Sequence, residues 1–287
     1  MKNILVTGGK GQLGMSIQAI SKEYPEYSFE FLDVTELDIT CPTSLSNHFI
    51  SNKYDVIINC AAYTNVDKAE TEQEKALMIN AVGVRNLTDI ANAYYTPLIH
   101  ISTDYIFDGN GNNPIETSCQ PYPLSAYGKS KLQGEKQIIE HCKSGYIIIR
   151  TSWLYSEMGN NFLQTVIRLA QEQGTLRIVF DQIGTPTYAR DLAQVIIQCL
   201  GKIDHDTQKI FHYSNEGVCS WYDFSKAIIE ELGLPNKVLP IMTYQYPTPA
   251  KRPYYSVLDK EDIKNWLSIE IPHWIDALRR CIKNLNP

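Results

Sequence analysis

Ile4-Leu5-Val6-Thr7-Gly8-Gly9-Lys10-Gly11-Gln12-Leu13-Gly14 decides the fold. A short apolar run reads as a buried strand, and it meets glycines at 8, 11 and 14 where a helix should begin. Glycines there permit a tight turn and close backbone approach, while the helix N-terminus presents free N–H groups to a pyrophosphate. Gly8, Gly11, Gln12 and Leu13 are therefore candidate nucleotide contacts. The spacing is Gly-x-x-Gly-x-x-Gly and lacks Gly-Lys-Ser/Thr, which disfavours a phosphate-transferring P-loop.

Working outward, further strands are expected at residues 27–32, 56–59, 98–101 and 146–149, with helices over 72–94 and 126–141 between them. Strand alternating with helix predicts a doubly wound parallel sheet of Rossmann type, covered on both faces. We expect residues 1–150 to form this domain. Residues 151–287 should form mainly a smaller C-terminal substrate-binding lobe, with a segment at about 160–200 returning to the sheet. A helix over 161–173, a strand at 176–180 and a helix over 190–200 are expected there. Pro235, Pro240, Pro247, Pro249 and Pro253 read as loop.

A net charge of -6 argues against a general nucleic-acid or acidic-membrane binder, and no apolar run is long enough to span a bilayer. Seven scattered cysteines form no Cys-x-x-Cys, so neither a disulfide framework nor a zinc site is suggested and a cytoplasmic location is expected.

Tyr127 and Lys131 lie four apart in Ser-Ala-Tyr-Gly-Lys-Ser-Lys, on one face of the expected helix. A nearby ammonium favours phenolate, so Lys131 should lower the Tyr127 pKa and let the phenol trade a proton. Ser102 and Thr103 end the fourth strand at the carboxyl edge of the sheet, where ligands bind in open α/β folds. Thr103 or Ser102 would hydrogen-bond a carbonyl oxygen whose proton partner is Tyr127. Asp33 follows the second strand at the distance where an acid holds adenine ribose hydroxyls, which favours NADH over a 2′-phosphate. Asp38 and Ile39 are candidates to frame the adenine. Ala61, Ala62, Tyr63 and Thr64 end the third strand with mostly small residues, as a backbone passing close to a cofactor requires.

These blocks resemble the extended short-chain dehydrogenase/reductase family, and within it the dTDP-4-dehydrorhamnose reductase branch. The likeness is carried by residues 8–14, 61–70, 102–109 and 127–131, then by Arg150-Thr151-Ser152-Trp153, Gly159-Asn160-Asn161-Phe162, residues 181–187 and Arg252-Pro253. It implies an NADPH- or NADH-dependent reduction of a nucleotide-linked C4 ketone. Tyr127 would be proton donor, Lys131 its partner on the nicotinamide ribose, and Thr103 the group that orients the ketone. Asn65, Val66, Asp104 and Trp153 would face the sugar or its nucleotide, and Arg252 offers a guanidinium fork to a diphosphate. Family members are described as dimers with magnesium held by glutamates. The corresponding positions here are Ser16 and Arg190, neither a hard anionic ligand, so no metal ligands are assigned and the chain is expected to be a monomer or homodimer. A 4,6-dehydratase would need a glutamate after Asp104, where Tyr105 stands. A redox-neutral 4-epimerase, another 4-ketoreductase and a non-catalytic regulatory subunit of methionine adenosyltransferase type share the fold and are the alternatives.

Overall fold

A computed structural model of the chain describes residues 1–285. The larger strands are β1 (Lys2–Thr7), β2 (Tyr27–Leu32), β3 (Val56–Asn59), β4 (Leu98–Thr103), β5 (Tyr146–Thr151), β6 (Thr175–Val179), β7 (Gln208–Tyr213) and β8 (Lys237–Ile241). The main helices are α1 (Gln12–Ile20), α2 (Pro42–Ser51), α3 (Gly83–Ala93), α4 (Ala126–His141), α5 (Phe162–Glu172), α6 (Ala189–Leu200), α7 (Trp221–Glu231) and α8 (Trp274–Leu285).

Six strands form one parallel sheet in the order β7-β5-β4-β3-β1-β2. Its central strands are mostly apolar because both faces are covered: Ile4, Leu5, Ile57, Ile58, Ile147 and Ile148 are all buried. Each such side chain contributes about 1.5–3 kcal/mol on burial. α1 and α6 pack on one face through Ile17, Leu192 and Ile196. α2, α3 and α4 cover the other through Leu45, Leu87 and Ile138. The chain winds from β1 to β2 in one direction and continues through β3 in the other, so the carboxyl ends of β1 and β3 open on a crevice.

The helix expected over 72–94 contains a wide turn. Gln73–Leu77 passes through a π segment, Met78–Val82, before α3. That turn pushes the Asn80 carbonyl against Gly134 of α4, where a Cβ would stand 2.1 Å from it. Asn80 Nδ2 also donates to Ser130 Oγ at 2.9 Å and to the Tyr63 carbonyl at 3.0 Å. The irregularity thus fixes α4, the helix that carries Tyr127 and Lys131.

The C-terminal lobe has its own core of Leu163, Val166, Phe224, Ile228, Trp274 and Leu278, drawn from α5, α7 and α8. The paired strands β6 and β8 lie beside it. Here the boundaries differ from the expected return at 160–200. α5 packs within the lobe, whereas α6 and β7 join the sheet domain. α5 turns its apolar stripe to the lobe helices, while the Leu192–Ile196 side of α6 fits α1.

Candidate active site

A cavity of about 650 Å³ opens at the carboxyl edge of the sheet, between the glycine loop and the C-terminal lobe. Its floor is the end of β4 and the first turns of α4. Ser125 caps α4 by accepting from Gly128 N at 3.1 Å, which places Tyr127 in the opening turn and Lys131 one turn later. Gly128 is pressed on the Tyr105 carbonyl, where a Cβ would stand at 2.2 Å, and the Tyr105 and Tyr127 rings meet edge to face at 5.6 Å. Thr103, Asp104, Tyr127 and Lys131 all reach the cavity wall.

Burial dominates the electrostatics. It pushes the Tyr127 phenol up to about 12, against a hydrogen bond with Thr103 that pulls it down, while the Asp104 carboxylate adds to the rise. Lys131 is driven down to about 8 by burial, opposed by Glu135 and Cys60. The expected lowering of the phenol by Lys131 is therefore not what this site shows. Desolvation outweighs it, and Lys131 Nζ donates instead to the Ile101 carbonyl at 2.7 Å. A phenol so raised stays protonated at neutral pH, as a proton donor must. Asp104 is 2% exposed and raised to about 6 by burial, which hydrogen bonds with Ser256 and Thr103 only partly offset. Its Oδ2 and Ser102 Oγ find no partner among the described residues.

The other end of the cavity suits a dinucleotide. Gly8 adopts φ +68, and a Cβ on it would lie 2.6 Å from Ala61 N. A Cβ on Gly14 would stand 2.4 Å from the Gly8 carbonyl. Gly8 is required by the close passage of the loop over Cys60 and Ala61 just beyond β3, and Gly14 by the way the loop at Gly8 and Gly9 folds onto the first turn of α1. Gly11 is the N-cap of α1, and no side chain among the described residues caps that end. A diphosphate fits there against the first-turn N–H groups.

Gly11, Gln12, Leu13, Ala62, Thr64, Val66, Thr103, Asp104, Tyr127, Lys131 and Trp153 thus line one cavity. Other candidates stand apart. Gly8 and Ala61 support the loop from beneath. Asp33 accepts from Lys10 N at 2.9 Å and from Val34 N at 2.7 Å, at the outer end of the glycine loop. Asp38 accepts from Thr40 N at 2.8 Å within a local turn, and Ile39 is a core residue packed on Gly83. Tyr63 is buried, donating to Glu72 at 3.0 Å. Asn65 accepts from Lys68 N at 3.0 Å. Arg252 is not on the cavity wall, contrary to expectation. It pairs with Asp67 at 2.8 Å and lines a separate cavity of about 280 Å³. At the positions that the resemblance pairs with magnesium ligands, Ser16 donates to the Gln12 carbonyl and Arg190 pairs with Glu157 at 2.5 Å. Among the described residues no cluster of His, Cys, Asp and Glu suits a metal ion.

Two residues were missed by reading the sequence. Trp221 stacks on Trp153 with centroids 3.5 Å apart and planes within 10°, and both line the cavity. Its one local signal is the Ser220/Asp223 capping box that starts α7 beside it. Lys10 lies 23 positions from Asp33, so nothing local in the sequence pairs the two. Folding brings its ammonium to Glu36, at 2.8 Å, beside that acid.

Comparison with known proteins agrees with this geometry. The family profile described as RmlD substrate binding domain matches residues 1–286. A dTDP-4-dehydrorhamnose reductase of Aggregatibacter actinomycetemcomitans is 41% identical, over 97% of this chain and 98% of its own length. The spore coat polysaccharide biosynthesis protein SpsK of Bacillus subtilis is 38% identical over 99% and 98%. Among solved structures, the dTDP-4-dehydrorhamnose reductase of Bacillus anthracis in complex with NADP superimposes with a TM-score of 0.93 at 36% identity, covering 99% of each chain.

Proposed function

The chain belongs to the RmlD substrate-binding family, and from that premise we propose that it is an NAD(P)H-dependent oxidoreductase reducing the C4 ketone of dTDP-4-dehydro-β-L-rhamnose to dTDP-β-L-rhamnose, the last step of dTDP-rhamnose biosynthesis. The observation that carries this reading is the meeting of Thr103, Tyr127 and Lys131 on one wall of a cavity whose far end is the glycine loop.

The reduced nicotinamide supplies the hydride; the protein's part is to hold both partners and deliver a proton. Gly11, Gln12 and Leu13 would present the α1 N-terminus to the diphosphate, Asp33 would take the adenosine ribose, and Ala62 and Thr64 would line the path between. Lys131 would bond the nicotinamide ribose. Thr103 directs its hydroxyl to the ketone, and Tyr127 gives its phenolic proton to the oxygen as negative charge grows there. Because burial keeps the phenol protonated, the donor is loaded before the substrate arrives. Val66, Asp104 and Trp153 face the sugar. Asp104 on a sugar hydroxyl would give its lone Oδ2 the partner it lacks. No helix among the described residues is long and apolar enough to cross a membrane. We place the enzyme in the cytoplasm, as a monomer or homodimer.

The test is loss of reduced-nicotinamide absorbance with enzymatically prepared dTDP-4-dehydrorhamnose, NADH and NADPH in parallel. Substrate-dependent oxidation is expected. Folded protein that binds cofactor but oxidises none of it would send the reading to another keto-sugar or to a regulatory subunit.

A further inference from the structure

Behind Lys131 a buried polar chain runs from Thr7 at the end of β1, through Asn59 at the end of β3, to His100 in β4. His100 is 0% exposed, and Thr7 and Asn59 are each 1% exposed. None of the three belongs to the machinery assigned above.

One backbone group sets the direction of every bond in this chain. Ala61 N is a donor that cannot accept, and Asn59 Oδ1 receives it at 3.1 Å and Thr7 Oγ1 at 2.8 Å. The Asn59 amide nitrogen must then face His100, where it stands 3.0 Å from Nδ1. A neutral imidazole that accepts at Nδ1 carries its proton on Nε2. The ring is neutral because full burial and the neighbouring Lys131 both oppose its charging. Nε2 is 3.4 Å from Lys131 Nζ. An amine has a lone pair to receive that N–H. An ammonium has none, and two donors would face each other.

We propose that His100 is a positioning residue: held by Asn59 with its proton on Nε2, it favours Lys131 as a neutral amine in the free protein, so that cofactor binding draws a proton from solvent onto Lys131. This rests on the nicotinamide reading above. Beforehand the described residues offer the ammonium one acceptor, the Ile101 carbonyl at 2.7 Å; the ribose hydroxyls would supply the further acceptors its other N–H groups need, and no bond other than N–H forms at Nζ. Burial acts in the same direction, whereas Glu135 on α4 and Cys60 after β3 oppose it; with His100 and Tyr127 these are the titratable groups that bear on the amine. The depression of Lys131 to about 8 agrees with that balance.

The experiment is calorimetric titration of the full chain with NADPH at about pH 8, in buffers of different ionisation enthalpy. Uptake of about half a proton is expected at that pH, vanishing about two units lower, where the amine is already charged. Asn59→Asp can accept a proton on its own side from His100 Nδ1, which moves the ring to the opposite tautomer and leaves Nε2 to accept from an ammonium. Uptake at about pH 8 should then fall severalfold. Long-range nitrogen–proton spectra of histidine-labelled wild type should contain an Nε2–H ring that switches tautomer in Asn59→Asp. A residue with a merely structural role would leave both readouts at their wild-type values. No uptake in the wild type, unchanged uptake in the variant, or an Nδ1–H tautomer at His100 would overturn the proposal. Should Asn59→Asp fail to fold, wild-type calorimetry and the wild-type histidine spectrum decide together, and either the absence of uptake or an Nδ1–H ring overturns the proposal. No keto-sugar enters these measurements, so failure of the reductase assay is a separate result. Absence of any cofactor binding would sink the reductase reading, and the histidine spectrum would still decide the tautomer.

Discussion

Arg252 is clasped by Asp67 across 185 positions of sequence, Nη1 to Oδ1 at 3.1 Å and Nη2 to Oδ2 at 2.8 Å. Asp67 also accepts from Ala250 N at 3.2 Å. The pair ties the proline-rich segment of the lobe to the turn that carries Val66, and so holds the cavity mouth from outside. Both side chains are partly exposed, which limits a bidentate pair to about 1 kcal/mol. Asp67→Asn should lower Tm by about 2 °C at neutral pH. Arg252 holds the Asp67 carboxyl below its ordinary value of 3.8, so the stabilisation is complete above that value and is lost as pH falls through the lower folded one. Melts of both proteins should therefore converge as pH falls through the lowered folded value of Asp67. A gap that persists in acid would show that the ion pair is not its source.

Tyr127→Phe removes the proposed proton donor and keeps the ring that packs on Tyr105. Turnover should fall by about 10²–10⁴-fold, with cofactor affinity nearly unchanged. Steady-state rates together with cofactor titration by tryptophan quenching check both halves. Near-normal turnover would remove Tyr127 from its role.

Much of this site is legible in the chain because its parts are local. The strand ending in Thr7-Gly8, the glycine spacing, and the Tyr127/Lys131 register each lie within one element, where periodicity and turn chemistry act. β7 was not read, since Gln208-Lys209-Ile210-Phe211-His212-Tyr213 is half polar and becomes a strand by pairing with β5. The π turn at Met78–Val82 follows from the fit of Asn80 against α4, which has no signature in its own five residues. Lys10 beside Asp33, Arg252 on Asp67 and His100 behind Lys131 are long-range meetings that only the packed sheet brings about.

Trp221 holds Trp153 in place by stacking, and Trp153 is held at φ +47, a conformation unfavourable for a bulky side chain. Trp221→Ala removes about 0.5–1.5 kcal/mol of aromatic contact beyond the area it exposes. If Trp153 packs on the sugar, its loosened ring should raise KM for the keto-sugar by up to about tenfold, with kcat little changed. A fall in kcat at constant KM would place the pair in the chemical step and sink this assignment.

Asp104 carries the clearest pH signature. Its folded pKa is raised, to about 6 against the ordinary 3.8, because the ionised carboxylate is buried. A group raised in this way contributes stability that is complete below the unfolded value and disappears as pH climbs through the folded one. About 3 kcal/mol is at stake between those two values. Asp104→Asn cannot ionise, but its amide nitrogen, in place of the partnerless Oδ2, costs about 1–3 kcal/mol as a buried donor. The variant should therefore be less stable than wild type at about pH 4, draw level or pass it by about pH 7, and hold that position above. Denaturant unfolding of both proteins at the two pH values measures the crossing. An equal difference at both would mean that Asp104 ionises in the folded protein as easily as in the unfolded chain.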